Sequence, residues 1–397
     1  MRSPAALTRD VALCSIMALL AVGSAAMSLP PGRLWDLGDF ILAGRSASAG
    51  LNPYTADPTL LGAWAPAFDI GSRNINPPVS VLLCQLIAPL DPGTLRTGTF
   101  IASLGAYSLA VLLLAFAYRP ALTLPRIAWA FALAGLWDNL YLGQVYAFLA
   151  LAVAVVWLLL KRDRLVVAGI ILGAVAAIKP NFLVVPALLF AAGYRRPAAL
   201  SAAVFGALTL LPIAVYGPRI YSEWLAALPT GSEHGLVINA SLLAQFSRLG
   251  SPVAGVLLSG VVLLGLAAVV WVRRPGALDV AGLGVIAAVL AGPTGYIELG
   301  IVLLPIFLSR AHWSPALIAA AALMLVPHQV VGIWSLGGHL DMILAGSVHF
   351  TAYVLVLLAV YQRVGSGPSL EANESLTMTK LDDAYHDTRE VTRMSSR

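Results

Sequence analysis

The chain has 397 residues, of which 59% are hydrophobic and only 11% are charged. Apolar runs of membrane-spanning length recur along it, which excludes a soluble globular protein. Unbroken runs such as VAGVLLSGVVLLGLAAVVWV exclude a transmembrane β-barrel, because barrel strands alternate in polarity. The formal charge of +5 does not indicate a nucleic-acid partner, and two cysteines indicate neither a disulfide framework nor a thiol metal site. We therefore expect an all-α, polytopic protein of the lipid bilayer.

Hydropathy predicts about twelve spanning helices. The first apolar run lacks a convincing small-residue cleavage site, so we interpret it as a retained helix. Residues 77–91 are apolar but short and open with Pro-Pro, which favours a re-entrant helix and leaves open whether they cross the bilayer. The predicted spans are residues 11–30, 99–118, 126–141, 144–160, 165–178, 180–194, 198–216, 251–272, 277–292, 296–310, 314–333 and 341–362.

The charges predict an orientation. The basic clusters KRDR, YRRP and WVRRP all fall on one side of this topology, which makes that side cytoplasmic and places both termini there. Residues 1–365 then form one multi-pass domain of the inner (plasma) membrane, with a disordered cytoplasmic tail at 366–397. Segments 31–76 and 217–250 face outward and are rich in Gly, Pro, Asn and Trp, as expected of ordered loops with short interfacial helices.

The stretch WDLGDF, directly after the first apolar run, carries Asp36 and Asp39. A carboxylate beside a helix end and partly removed from water has a raised pKa and is suited to act as a general base. The alternative is that these acids cap an interfacial helix, a common role for acids at helix starts. Spacing alone favours capping.

Further candidates lie at predicted outer turns and helix junctions. Gln144 sits between two helices, where its amide could bind sugar hydroxyls or satisfy helix-end groups. Lys179 lies where one apolar helix ends and the next begins, so it either binds a phosphate or reaches out to lipid headgroups. Asn239 begins an Asn-Ala-Ser triplet that fits a glycosylation acceptor but better fits a helix N-cap. Glu298, near Tyr296, is either a buried functional acid or a favourable first-turn acid.

The motifs of soluble enzymes are missing from the sequence. The six histidines lack metal-ligand spacing, and there is no Walker loop, dinucleotide fingerprint or serine nucleophile elbow. We therefore expect no metal, no cofactor and no nucleic-acid partner. A catalyst would work on the outer side, where most acids before the tail lie.

Several short motifs in this order resemble glycosyltransferase family 87, of the GT-C superfamily of integral membrane enzymes. The family's Asp-Leu or Asp-Phe pair, followed by an aromatic residue four positions beyond the Asp, is matched by Asp36-Leu37 and Phe40. Its G-x-PY element is matched by Gly50, Pro53 and Tyr54. The family's Tyr-Pro-Pro element is matched in its prolines, Pro77 and Pro78, with Asn76 in place of the tyrosine. Further matches are Gly143-Gln144, Gly173 to Lys179, and Asn239 to Ser241. The chain departs from the family near Pro293, where Tyr296, Glu298 and Leu299 replace a tryptophan and paired histidines.

The resemblance implies a GT-C fold and inverting transfer of a sugar, mannose on the family's pattern, from a polyprenyl-phosphate donor to a glycolipid or glycan acceptor. On this reading Asp36 is the general base on the outer face. Lys179, with Arg45 or Arg73, binds the donor phosphate. The implied substrate-binding residues are Asp39, Tyr54, Asn76, Gln144, Asn239, Tyr296 and Glu298.

Two other functions remain as alternatives. A lipid-linked sugar flippase or transporter would carry charges deep in its helices, whereas here almost all charges lie at helix ends and in loops, which favours the enzyme. An envelope scaffold protein would leave Asp36, Lys179 and Gln144 far apart, beyond about 15 Å, since no shared reacting group would require them to meet.

Overall fold

The computed structural model describes residues 4–28, 35–55, 57–67, 74–119, 122–228 and 235–365. The regular elements in these ranges are helical, and the β structure among them is an isolated bridge between Asn239 and Tyr296. The predicted all-α class is confirmed. The α-helices are α1 (Pro4–Ser28), α2 (Trp35–Ser48), α3 (Pro78–Ile87), α4 (Pro92–Ala117), α5 (Leu124–Ala132), α6 (Ala134–Leu142), α7 (Tyr146–Lys161), α8 (Leu165–Ile178), α9 (Val184–Ala191), α10 (Arg195–Tyr216), α11 (Arg219–Ala227), α12 (Leu242–Arg248), α13 (Pro252–Arg273), α14 (Ala277–Leu290), α15 (Leu304–Leu308), α16 (Pro315–Leu323), α17 (His328–Ser335) and α18 (His339–Gly365). The 3-10 helices are Pro58–Ala67, Pro180–Leu183 and Ile297–Leu303.

The helices long and apolar enough to cross a membrane are fewer than predicted. Within the described ranges five helices qualify, namely α1, α4, α10, α13 and α18. The pair α16 and α17, bent by 75°, adds a sixth if it is counted as one span. The prediction of twelve crossings is therefore wrong, although a multi-pass membrane protein remains.

The excess comes from short or broken apolar helices that hydropathy counts as full spans. The predicted span 126–141 is divided at Leu133 into α5 and α6, and the span 296–310 is a 3-10 helix followed by the short α15. In α14 every residue from Val280 to Leu290 is buried. Such segments are enclosed by other helices, where a break in the backbone is tolerated because protein rather than lipid surrounds it.

The two long segments between helices contain short helices, as expected. Segment 31–76 contains α2 and the 3-10 helix Pro58–Ala67, and segment 217–250 contains α11 and α12. The predicted re-entrant helix at 77–91 is the ten-residue α3. The predicted tail, 366–397, lies outside the described residues, and the outward placement of the two segments stays a prediction.

Two glycines let α8 and α10 touch. A Cβ at Gly169 would lie 2.5 Å from the Pro197 carbonyl oxygen, and one at Gly173 would lie 2.5 Å from that of Ser201. Small residues four apart on one helix face allow such close backbone approach in membrane proteins. This contact holds α8, and with it Lys179 at its end.

We expect Gly173→Ala to destabilise the protein. The added methyl group meets the backbone of α10, and overpacking of this kind costs about 1–3 kcal/mol. The matched control is Gly206→Ala on α10, where a Cβ meets nothing within 4 Å. That change should be neutral or stabilising by up to about 1 kcal/mol, because alanine is the better helix former. Thermal unfolding of the purified proteins measures both, and equal melting temperatures would contradict the close contact.

Candidate active site

Asp36 lies in the first turn of α2 and points toward the turn between α6 and α7. Its carboxylate is hydrogen-bonded to the side chain of Gln144. Residues Leu37 to Leu42 of the same helix are buried, which fixes the helix against the protein, while the Asp36 side chain keeps part of its surface accessible. The acid is thus held in place and still open to a ligand.

Gln144 owes its position to the glycine before it. Gly143 ends α6 in the left-handed conformation with φ of 72°, and its N–H donates to the Asn139 carbonyl. A side chain at that backbone angle would be strained, so glycine favours the sharp turn that separates α6 from α7. The Gly-Gln pair of the sequence is therefore a helix end followed by a buried amide, with Gln144 only 6% exposed.

Lys179 sits at a break between α8 and the 3-10 helix that begins with Pro180. Its backbone is extended, with φ of −136° and ψ of 94°, because a residue that precedes proline avoids the helical region. The ammonium donates a 2.8 Å hydrogen bond to Oδ1 of Asn76 and lies 4.9 Å from the centre of the Tyr146 ring. A proline break therefore turns the lysine out of the helix and into a polar contact.

The segment that carries Asn76 is held by both long loops. Its Nδ2 and its backbone N–H each donate to Oδ1 of Asn74 at 3.0 Å. Tyr54, from the first segment, donates its hydroxyl to the Asn76 carbonyl at 3.1 Å. Trp224, from the second segment, donates to the Ile75 carbonyl at 3.0 Å. Tyr54 and Asn76 thus support Lys179, whatever else they contact.

Glu298 completes the charged group from a different part of the chain. It is 3% exposed, lies in the 3-10 helix Ile297–Leu303, and interacts electrostatically with Asp36 and Lys179. This helix passes close to α6, because a Cβ at Gly135 would lie 2.7 Å from the Ile297 carbonyl oxygen. The structure thereby gathers two carboxylates, an ammonium and an amide that are far apart in sequence.

Burial sets the charges of the two central groups. Removal from water raises the pKa of Asp36 to about 6, against the lowering effects of the Gln144 hydrogen bond and the Lys179 charge. Burial likewise lowers the pKa of Lys179 to about 8, although Asp36 and Glu298 both favour its charged form. Each group is poised close to neutral pH, as is common for acids and bases in active sites.

Asn239 and Tyr296 lie beside this group, and their contacts organise the backbone. Oδ1 of Asn239 accepts from the N–H groups of Ser241 and Gly295 at 3.2 and 2.8 Å, and Nδ2 donates to the Pro293 carbonyl at 3.2 Å. The helix N-cap expected here is Ser241, whose hydroxyl accepts from the Ala244 N–H. Asn239 therefore pins the segment that leads into Glu298, and substrate contact by it or by Tyr296 stays a prediction.

The remaining predicted site residues are Arg45, Asp39 and Arg73. Arg45 donates to the carbonyls of Ala88, Leu60 and Leu61, at the end of α2 distant from Asp36. These contacts tie α2 to neighbouring elements, and a phosphate role for Arg45 stays a prediction. Asp39 is buried one turn along α2. Arg73 lies outside the described residues.

Sequence reasoning missed His328, the first residue of α17. Its Nδ1 is hydrogen-bonded to Oδ1 of Asp138 on α6, in a pair separated by 190 positions. The local signal was a histidine directly after Pro327 at a helix start, which does not identify a partner so far along the chain. Among the residues that the structure covers, no group of three or more His, Cys, Asp or Glu side chains is arranged to hold a metal ion.

The chain matches the model of a known protein family. The family model described as glycosyltransferase family 87 matches residues 74–293, more than half of the chain. The protein therefore belongs to glycosyltransferase family 87 and is a multi-pass membrane glycosyltransferase. The match includes Asn76, Gln144 and Lys179 and begins after Asp36. No curated protein and no solved structure matched the chain.

We expect Asn239→Ala to lower the free energy of unfolding. The change leaves two N–H groups and a carbonyl without their side-chain partner, and an unsatisfied buried group costs about 1–3 kcal/mol. Asn52→Ala is the control, because that side chain accepts one local bond, from the Tyr54 N–H. Thermal unfolding measures both. Unchanged stability of Asn239→Ala together with weaker substrate binding would instead assign Asn239 to the substrate.

Proposed function

We propose that this glycosyltransferase moves a sugar from a polyprenyl-phosphate donor to a hydroxyl group of a glycolipid or glycan acceptor, with inversion at the anomeric carbon. The observation that carries the proposal is the meeting of Asp36, Gln144 and Lys179 at three helix ends. Such a reaction needs a base at one side of the anomeric carbon and a cation at the other, and this cluster supplies both.

Lys179 is suited to the phosphate of the donor. Its direct hydrogen-bond partner, Asn76, is neutral, so the ammonium keeps donors for an incoming anion. The carbon–oxygen bond to the phosphate breaks with its electron pair, and the negative charge on the leaving phosphate grows. A fixed cation in a site of low polarity stabilises that charge more strongly than it would in water.

Asp36 is suited to activate the acceptor. The acceptor hydroxyl gives its proton to the carboxylate as its oxygen forms the new bond to the anomeric carbon, and the phosphate departs on the opposite face. A β-linked donor thus yields an α-glycoside. Gln144 donates to the same carboxylate and holds it in position. Glu298 lies beside Asp36 and Lys179, and burial raises the pKa of its carboxyl group well above its usual range.

The location of the cluster supports a lipid-linked donor and an outward-facing site. Tyr146, which contacts Lys179, begins α7, and the basic loop after Lys161 follows its other end. Sixteen residues of helix separate the two ends by about 24 Å. If the basic loops are cytoplasmic and α7, one of the shorter apolar helices, is a further crossing, the cluster is extracytoplasmic. A polyprenyl tail in the bilayer would present its phosphate at this depth. We propose mannose as the sugar, following the family resemblance.

We expect Asp36→Asn to abolish most transfer, because the amide has the size of the acid but accepts no proton. Loss of a general base reduces the rate by about 10²- to 10⁴-fold. The assay follows radiolabelled polyprenyl-phosphate mannose into candidate glycolipid acceptors in proteoliposomes. Asp57→Asn, which changes an acid in the same outer segment, is the matched control and should keep wild-type activity. Retained transfer by Asp36→Asn would remove the assigned base.

We expect transfer to be fastest between about pH 6 and pH 8. Asp36 must be ionised to accept a proton, so activity falls as the pH drops below its pKa of about 6. Lys179 must be protonated to bind phosphate, so activity also falls as the pH rises above its pKa of about 8. Initial rates at saturating donor give both limbs of the profile.

Variants of Lys179 assign the two limbs of that profile. Lys179→Arg should move the alkaline limb to higher pH, because a guanidinium stays protonated there. Lys179→Met should lower activity and move the acid limb upward, since the lysine charge holds the pKa of Asp36 down. Lys161→Arg, at the other end of α7, should leave both limbs unchanged. A profile that ignores substitution at Lys179 would contradict its role.

A further inference from the structure

A second polar cluster lies beside the catalytic group, at the end of α6. It consists of Asp138, Asn139 and His328, and the ring of Tyr141 lies 5.6 Å from the His328 ring. Asp138 and Asn139 are 1% and 0% exposed. The side chain of His328 is 21% exposed, so the cluster is reached from outside past the histidine.

Two buried atoms of this cluster lack a protein partner among the residues that the structure covers. They are Oδ2 of Asp138 and Nδ2 of Asn139. Asp138 uses its other oxygen for His328, and Asn139 uses its Oδ1 for the Ala147 N–H at 3.3 Å. Buried polar groups in proteins are normally satisfied, because each unpaired group is costly. A bound molecule that supplies the missing partners would account for both.

The cluster lies next to Glu298, one member of the proposed catalytic group. Glu298 interacts electrostatically with Asp138 as well as with Asp36 and Lys179. Lys179 interacts with Asp36 and Glu298, and its hydrogen bond to Asn76 lies toward the loops. Asp138 and its partner His328 therefore lie beside Glu298. If the donor phosphate lies at Lys179, the far side of the acids is the acceptor's side.

The unpaired atoms define the chemistry of the ligand. Oδ2 of Asp138 needs a donor, whereas Nδ2 of Asn139 needs an acceptor. A hydroxyl group is both donor and acceptor, and adjacent hydroxyl groups of a sugar satisfy such a set. A phosphate or carboxylate group would add another negative charge beside Asp138 and Glu298, two acids whose pKa values burial already raises. We propose that Asp138, Asn139 and His328 bind the acceptor through the hydroxyl groups of a neutral sugar residue.

This inference rests on the proposed function, and steady-state kinetics separates the two. Asp138→Asn and His328→Gln should raise the acceptor KM by about 10- to 100-fold, as expected for loss of hydrogen bonds to a charged or oriented group. The donor KM should stay within twofold. Hydrolysis of the donor by water, measured without acceptor, should also be unchanged. His312→Gln, an exposed histidine outside the cluster, should behave as wild type.

Other results would overturn the assignment. A raised donor KM would place the transferred sugar, not the acceptor, at Asp138. An equal loss of donor hydrolysis and transfer, or lower thermal stability with an unchanged acceptor KM, would mean that the pair only tethers α17 to α6. Full transfer by Asp36→Asn would contradict the assignment of Asp36 as the base. The acceptor KM of Asp138→Asn and His328→Gln would still test the acceptor site.

A binding measurement tests the subsite without any turnover. Methyl hexosides serve as neutral sugar probes, and saturation-transfer NMR on the protein in nanodiscs detects their contact. Wild type and Asp36→Asn should both bind at least one of the hexosides, and His328→Gln should bind it more weakly. Equal signals for wild type and His328→Gln, or none for either, would contradict a sugar subsite at this cluster.

Discussion

The fold depends on one constraint, which is to hold three ionisable side chains together inside a membrane protein. The ammonium of Lys179 and the carboxyl groups of Asp36 and Glu298 meet where helices end. Lys179 attracts the two acids, Asp36 and Glu298, which repel each other, and each charge is costly to remove from water. The attraction between Lys179 and the acids offsets part of that cost only if the groups are held close. The surrounding fold is arranged to keep them there, and it also holds the pKa values of Asp36 and Lys179 close to neutral.

Backbone breaks do most of this positioning. Pro180 ends α8 and turns Lys179 toward Asn76, Gly143 ends α6 and places Gln144, and Gly173 keeps α8 against α10. Broken helices are tolerated at membrane depth where protein encloses them, and they expose polar backbone and side chains to a cavity. The same breaks explain why fewer helices span the bilayer than hydropathy indicates. The same backbone breaks therefore reduce the number of spanning helices and place the polar side chains of the site.

The sequence could place each polar residue at a helix end, but could not show which ends meet. Asp36, Gln144 and Lys179 were identifiable because acids, amides and lysines are rare in apolar runs. Hydropathy failed for α14, since a helix buried in protein and one that faces lipid have the same composition. Sequence patterns also gave no sign that His328 contacts Asp138, because the two residues lie 190 positions apart. Asn239 was found, but its bonds to backbone groups depend on a loop conformation that no local pattern encodes.

The most direct test is a structure of the protein with a phosphonate analogue of the lipid-linked sugar donor, which cannot release its sugar. The account predicts a phosphonate oxygen within about 2.7–3.2 Å of the Lys179 ammonium and the anomeric carbon on the side that Asp36 faces. An analogue bound away from Lys179, or an Asp36 side chain turned into bulk water while the site is occupied, would contradict it.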